Sequence, residues 1–302
     1  MEAGAIGMAC STVDEAEALV HNGVTSVLIA NEIASPDKMR RVAGLRLRAD
    51  VIVCVDSTEL AAAMGGVART CGTELHVLVD VDVGLHRCGV PPGEPALRLA
   101  RIAGERGLQF RGLMGYQGHG PRTLPSRETE ATCRETLRLL IESRDCIQRA
   151  RIPVEIVSSG GTGSYSIAGR YPGVTEIQPG SYLLMDTDYR KSCTDFDLTL
   201  TVLATVISRT VGDRVVVDAG LKVLSPERGL PMVKGCDKIM VRKINAEHAI
   251  LDVRNQSVAW KPGDRIELSV PYSDATVNLH DRMYGVRDGE VEQVFSIDRR
   301  RL

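Results

Sequence analysis

Up to about residue 180, short apolar runs alternate with stretches of helical periodicity. Ala5–Ala9, Ser26–Ala30, Val51–Val55, Leu75–Val81, Phe110–Tyr116, Val154–Val157 and Thr175–Ile177 have the length and apolar character of buried strands. Between the first two, Thr12 and Glu15 have the spacing of a capping box, and Asn22-Gly23 closes the helix they open. A second helix is expected from about Pro36, and Ser57 caps an alanine-rich third. Two more follow near Glu94–Arg106 and Glu128–Ala150.

Buried strands separated by helices of this length are the pattern of parallel βαβ units. No GxGxxG follows the first strand, so a doubly wound dinucleotide fold has little support. The better fit is an α/β fold of the (β/α)8-barrel type with seven strands present and the N-terminal unit missing, its chemistry on the loops at the strand C-termini. From Asp195 the helical period largely disappears. Leu198–Val206, Arg214–Asp218, Asp237–Ile244, Ala249–Val253, Arg265–Val270 and Glu290–Phe295 read as strands, with turns such as Lys261-Pro262-Gly263-Asp264 between them. The expected domains are a barrel over residues 1–194 and a C-terminal β-rich domain over 195–302.

Composition narrows the function classes. Lys and Arg number 37 and Asp and Glu 39, a net charge of −2, so there is no electrostatic footprint for nucleic acid or an anionic membrane. No apolar stretch approaches the roughly 18 residues of a membrane span, and the first residues have no signal-peptide pattern. The eight cysteines include no CxxC pair, which reads as reduced thiols in a cytoplasmic protein.

Four strand ends carry polar, glycine-bearing segments. Ser158-Ser159-Gly160-Gly161-Thr162-Gly163-Ser164-Tyr165 follows the sixth run, and glycines there can turn backbone N–H groups toward a phosphate. Asp80–Val90 (DVDVGLHRCGV) gathers acids, a histidine and an arginine, although taken alone a solvated charged loop is the better explanation of it. Gly115-Tyr116-Gln117-Gly118-His119-Gly120 and Thr175–Tyr182 (TEIQPGSY) end two further runs. A ligand bearing a phosphate is the simplest common cause.

Together DVDVGLHRCGV, GLMGYQGHG, SSGGTGSY, TEIQPGSYLLMDTDY, VVDAGLKVLS and DATVNLHD resemble the D-threonine aldolase and D-serine dehydratase family, pyridoxal-phosphate enzymes of the alanine racemase fold type. The resemblance runs through essentially the whole chain. It implies a barrel that holds pyridoxal 5'-phosphate, a C-terminal β-domain and a homodimer acting on a small amino-acid substrate. By position, Gly161, Thr162 and Gly163 resemble the phosphate-binding turn, with Gly180 and Ser181 as further donors. Tyr116 is implied near the cofactor ring and Arg87 near the pyridine nitrogen, while His119 is a candidate base.

Two departures from the family follow. Its Schiff-base lysine lies in a stretch like R-P-H-x-K-T-H upstream of the segment matching Ala3–Cys10, and none of Lys38, Lys191, Lys222, Lys234, Lys238, Lys243 or Lys261 stands in that context. The expectation is a longer gene product of which this chain is a part. The family's divalent metal ligands precede D-x-T-V-N-L; here Tyr272 stands at the histidine position and Ser273 at the cysteine position, leaving Asp274. No metal site is therefore expected. The leading expectation is a lyase on D-β-hydroxy amino acids, by retro-aldol cleavage or dehydration. A non-catalytic pyridoxal-phosphate-binding protein and a racemase-like enzyme are the alternatives.

Overall fold

The computed structural model describes residues 2–118, 127–210, 212–254 and 256–298. Two compact units divide between Pro179 and Gly180. In the first, β1 (Met8–Cys10), α1 (Val13–His21), β2 (Ser26–Glu32), α2 (Pro36–Arg46), β3 (Asp50–Val55), α3 (Thr58–Cys71) and β4 (His76–Asp80) alternate in sequence. They are followed by α4 (Glu94–Glu105), β5 (Gln109–Gly115), α5 (Arg127–Arg149), β6 (Ile156–Ser159), α6 (Tyr165–Ala168) and β7 (Glu176–Ile177). The seven strands form one parallel sheet in sequence order, curled into a half-barrel. Among the described residues β1 and β7 each pair along one edge only.

Local chemistry explains the boundaries. Thr12 Oγ1 accepts from Glu15 N at 3.2 Å and Glu15 Oε2 accepts from Thr12 N at 2.9 Å, the reciprocal box read from the sequence. Ser57 Oγ accepts from Leu60 N at 3.3 Å to open α3, and Gly72, left-handed at φ +63°, closes it.

The strands are buried on both faces with a period of two. Val27, Ile29, Val51, Val53, Val55, Val77, Val79 and Leu113 pack toward the helices. Leu28, Ile52, Cys54, Leu78 and Met114 have the opposite parity and form a separate apolar layer on the inner face. At Gly112 the β4–β5 register shifts, and β5 comes so close to β6 that a side chain there would overlap the Ile156 carbonyl; Gly112 has φ +153°.

In the second unit β8 (Thr201–Ser208), β9 (Arg214–Val217), β10 (Met232–Val233), β11 (Met240–Ile244), β12 (Ala249–Asp252) and β13 (Arg265–Ser269) close an antiparallel barrel in the order β10-β11-β12-β9-β8-β13. A short helix α7 (Ser273–Val277) follows, and then a hairpin of β14 (Arg282–Arg287) and β15 (Glu290–Ser296). The hairpin turns on Asp288 and Gly289, both at positive φ (+51° and +84°), which suits an Asp-Gly pair. The sequence reading omits β10 and β14, and it begins β11 at Asp237 instead of Met240.

The segment from Gly180 to Thr194, assigned above to the barrel domain, is tied to the second unit. Asp186 is buried and accepts from Asp188 N (3.1 Å), Tyr189 N (2.7 Å), Ser273 N (3.0 Å) and Ser273 Oγ (3.3 Å). Thr187 N donates to the Val270 carbonyl at 3.0 Å. A boundary at 194/195 is visible as a change in periodicity; these bonds connect residues far apart in sequence and leave no periodic mark.

Candidate functional site

The loop after β4 is folded back on itself. Asp82 N donates to the Val90 carbonyl and Val90 N to the Asp80 carbonyl, each at 2.9 Å. Asp82 Oδ1 accepts from Gly84 N (2.9 Å) and His86 N (3.0 Å), and its Oδ2 lies 2.9 Å from His86 Nδ1. Burial would raise the Asp82 carboxyl, but these donors outweigh it and hold the group below its ordinary value. Asp82 and His86 thus build the loop, and the loop presents Arg87 outward.

Arg87 meets Tyr116, at the end of β5, with its guanidinium carbon 5.7 Å from the ring centroid. On another side of the same ring lies the loop after β6. A methyl group added at Gly161 would stand 3.4 Å from Tyr116 Cε2 and 3.6 Å from its hydroxyl oxygen. Gly160 has φ +73°, and a methyl group there would lie 2.7 Å from Ala168 Cβ. Gly161 N donates to Ser164 Oγ at 3.2 Å, which closes the turn. Thr162 is buried, 3% exposed, whereas Gly163 is exposed. The structure thus brings Arg87, Tyr116 and the Gly160–Gly163 turn together at the carboxyl-terminal rim. At Gly161 the backbone approaches the Tyr116 ring with no side chain between.

Gly180 and Ser181 lie in the second unit, where Ser181 opens a 3-10 turn and its carbonyl accepts from Met185 N at 2.7 Å. Gly180 is exposed, with no atom near its missing side chain. His119, the candidate base, lies outside the described residues.

Sequence reasoning missed an acidic group on the inner face of the half-barrel. Glu32, Asp56 and Asp80 continue the inner parity of β2, β3 and β4 beyond the apolar layer, and the Cys88 thiol joins them. Asp80 is only 5% exposed; burial, then Glu32, pushes its carboxyl well above the ordinary range, and Arg87 opposes the shift. Burial and the same acids push the Cys88 thiol up to about 11. Each carboxylate is unremarkable in sequence, and only the parallel register makes them neighbours.

The segment at which the family places its metal ligands does not fit a divalent ion. Ser273 is committed to Asp186, and the Arg228 guanidinium lies over the Tyr272 ring, 3.7 Å from its centroid. The Asp274 carboxyl is raised by burial and by Asp186. The His280 ring nitrogen Nε2 contacts the Val223 carbonyl at 2.9 Å, so this residue is engaged elsewhere. Among the described residues no group of three His, Cys, Asp or Glu ligands forms here.

Comparison with known proteins agrees with this architecture. The family model for the alanine racemase N-terminal domain matches residues 1–188, and that for the serine dehydratase domain matches residues 199–286. A D-threonine aldolase of Arthrobacter sp. is 35% identical over 98% of this chain and 80% of its own length. A 3-hydroxy-D-aspartate aldolase of Paracoccus denitrificans is 34% identical over 98% of this chain and 79% of its own. The crystal structure of D-threonine aldolase from Filomicrobium marinum superposes with a TM-score of 0.94 at 33% identity, covering 98% of this chain and 82% of that one. On these matches, the chain belongs to the D-threonine aldolase and D-serine dehydratase-like family of the alanine racemase fold.

Proposed function

We propose that this protein is a pyridoxal-phosphate-dependent lyase acting on D-configured β-hydroxy amino acids. The observation that carries the reading is the position of Tyr116, with the Arg87 guanidinium 5.7 Å from its ring and the bare backbone of Gly161 alongside it at the strand ends. Tyr116 would lie against the cofactor ring, and the backbone of Gly161, Thr162 and Gly163 would hold the phosphate. When bound, the cofactor supplies the electron withdrawal that stabilises a carbanion at the substrate α-carbon. A guanidinium can only donate hydrogen bonds, so Arg87 would favour an unprotonated ring nitrogen. The relatives include aldolases and a D-threo-3-hydroxyaspartate dehydratase, so substrates of this class are the ones to assay. The active form is expected to be a homodimer, which light scattering tests.

Lys38, the lysine of the first unit, lies on helix α2 and not on a strand. Cofactor binding is therefore a more direct test than turnover. Equilibrium dialysis should show saturable pyridoxal-phosphate binding, and Arg87→Ala should weaken it by about 10-fold, the worth of one charge-assisted contact. Release of glycine or of ammonia from D-threonine and D-3-hydroxyaspartate then separates cleavage from dehydration. Failure of the unaltered protein to bind the cofactor would sink the assignment.

A further inference from the structure

The inner parity of β2–β4 runs from apolar to acidic within one residue pair. Leu28, Ile52, Cys54 and Leu78 belong to the apolar layer, and Glu32, Asp56 and Asp80 follow them toward the rim. Asp80 is buried and Glu32 and Asp56 are half-buried beside it, and gathering three carboxyl groups in this way is unfavourable unless protons or a cation neutralise them. Arg87 is close enough to act on Asp80 but forms no ion pair with it, and no lysine or arginine pairs with Glu32 or Asp56 among the described residues. Glu32 Oε1 is fully buried without a hydrogen-bond partner. Asp80, more than nine-tenths buried, has Glu32 as its side-chain hydrogen-bond partner, another acid. These observations describe a cluster that wants positive charge.

Its donor chemistry narrows the choice. One ligand atom each from Glu32, Asp56 and Cys88 lies within 4.8 Å of the others. Oxygens and a sulfur held at about 2.1 and 2.3 Å from one ion are separated by roughly 3.4 to 4.4 Å, so small side-chain adjustments complete the site. A thiolate with two carboxylates favours zinc or cobalt over magnesium or calcium, which take oxygen alone.

We propose that the rim of the half-barrel binds one divalent transition-metal ion through Glu32, Asp56 and Cys88, with Asp80 holding Glu32 in place. The site is separate from the 271–281 segment, which lacks the ligands, and it stands whether or not the cofactor reading is correct. Because Arg87 and Cys88 are consecutive, the ion and the Tyr116 cradle share one loop.

Cobalt(II) titration of the metal-stripped protein tests this directly. The expected result is about one equivalent bound, with a near-ultraviolet sulfur-to-cobalt charge-transfer band that zinc displaces. Cys88→Ser should abolish the band, and Glu32→Gln and Asp56→Asn should each weaken zinc binding by more than about 10-fold. All three relieve crowding of acids or keep the side-chain shape, and thermal unfolding verifies that they fold. Asp274→Asn, in the second unit, should leave the titration unchanged. Absence of cobalt binding overturns the proposal, as does binding without the sulfur band or binding that is lost with Asp274 in place of Cys88.

Discussion

Replacing Gly160 by alanine tests the geometry of the cradle most sharply. The residue sits at φ +73°, where a β-carbon costs about 1–2 kcal/mol. The added methyl group would also stand 2.7 Å from Ala168 Cβ and 3.4 Å from Ile177 Cγ2, and overpacking of this kind costs about 1–3 kcal/mol. Ala168 is fully buried in α6, so it has little room to yield. The two effects together predict a loss of about 2–5 kcal/mol, a large share of the roughly 5–15 kcal/mol typical of a domain. Urea unfolding followed by far-ultraviolet circular dichroism should show a lower midpoint at an unchanged slope. If the chain instead relieves the strain by moving the turn, stability falls less but pyridoxal-phosphate affinity falls further, because Gly160 adjoins the Gly161–Gly163 backbone. Gly180→Ala is the matching control: φ is −131° and nothing lies within 4 Å, so its stability should stay within about 0.5 kcal/mol of the parent. An unchanged midpoint together with unchanged cofactor affinity in Gly160→Ala would refute the described turn.

Three further predictions follow from other parts of the molecule. Asp186→Ala should cost more than about 3 kcal/mol in urea unfolding, because it strands several buried donors from Ser273, Asp188 and Tyr189; a loss below about 1 kcal/mol would contradict the network. His76 lies between Arg46, Arg111 and Asp50, with Glu74 nearby, and burial and then Arg46 hold its pKa below the ordinary 6.5 despite Asp50. The unfolded chain therefore takes the proton first, so stability should fall as pH drops from about 7 to about 5; His76→Gln should remove that part of the fall, and an identical pH profile would count against it. Thr12→Ala should lower stability by about 1 kcal/mol through loss of the α1 cap, measured by the same unfolding assay.

Much of the fold was legible because its periodicities are local. Runs such as VIVCV carry their strand identity within five residues, and the Thr12–Glu15 box and Ser57 mark helix starts through bonds that span three. The second barrel was legible for the same reason, except where an element is too brief or too polar. Met232–Val233 is a two-residue strand, and β14 is largely exposed, so neither shows a buried pattern; Asp288-Gly289 was the available signal for the hairpin.

The site divides along the same line. Glycine content marked the Gly161 turn, since backbone freedom is written in residue type, and the family resemblance named Arg87 and Tyr116; the structure brings these three together. The chain could not announce that Asp186 anchors Gly180–Thr194 to the second unit, or that Glu32, Asp56, Asp80 and Cys88 meet. Those residues come from separate βα units, and nothing in the spacing of one strand specifies the register of the next. Parallel pairing across β2, β3 and β4 sets that register, and it turns scattered acids into one group, centred on the buried Asp80, whose charge the surrounding protein has to accommodate.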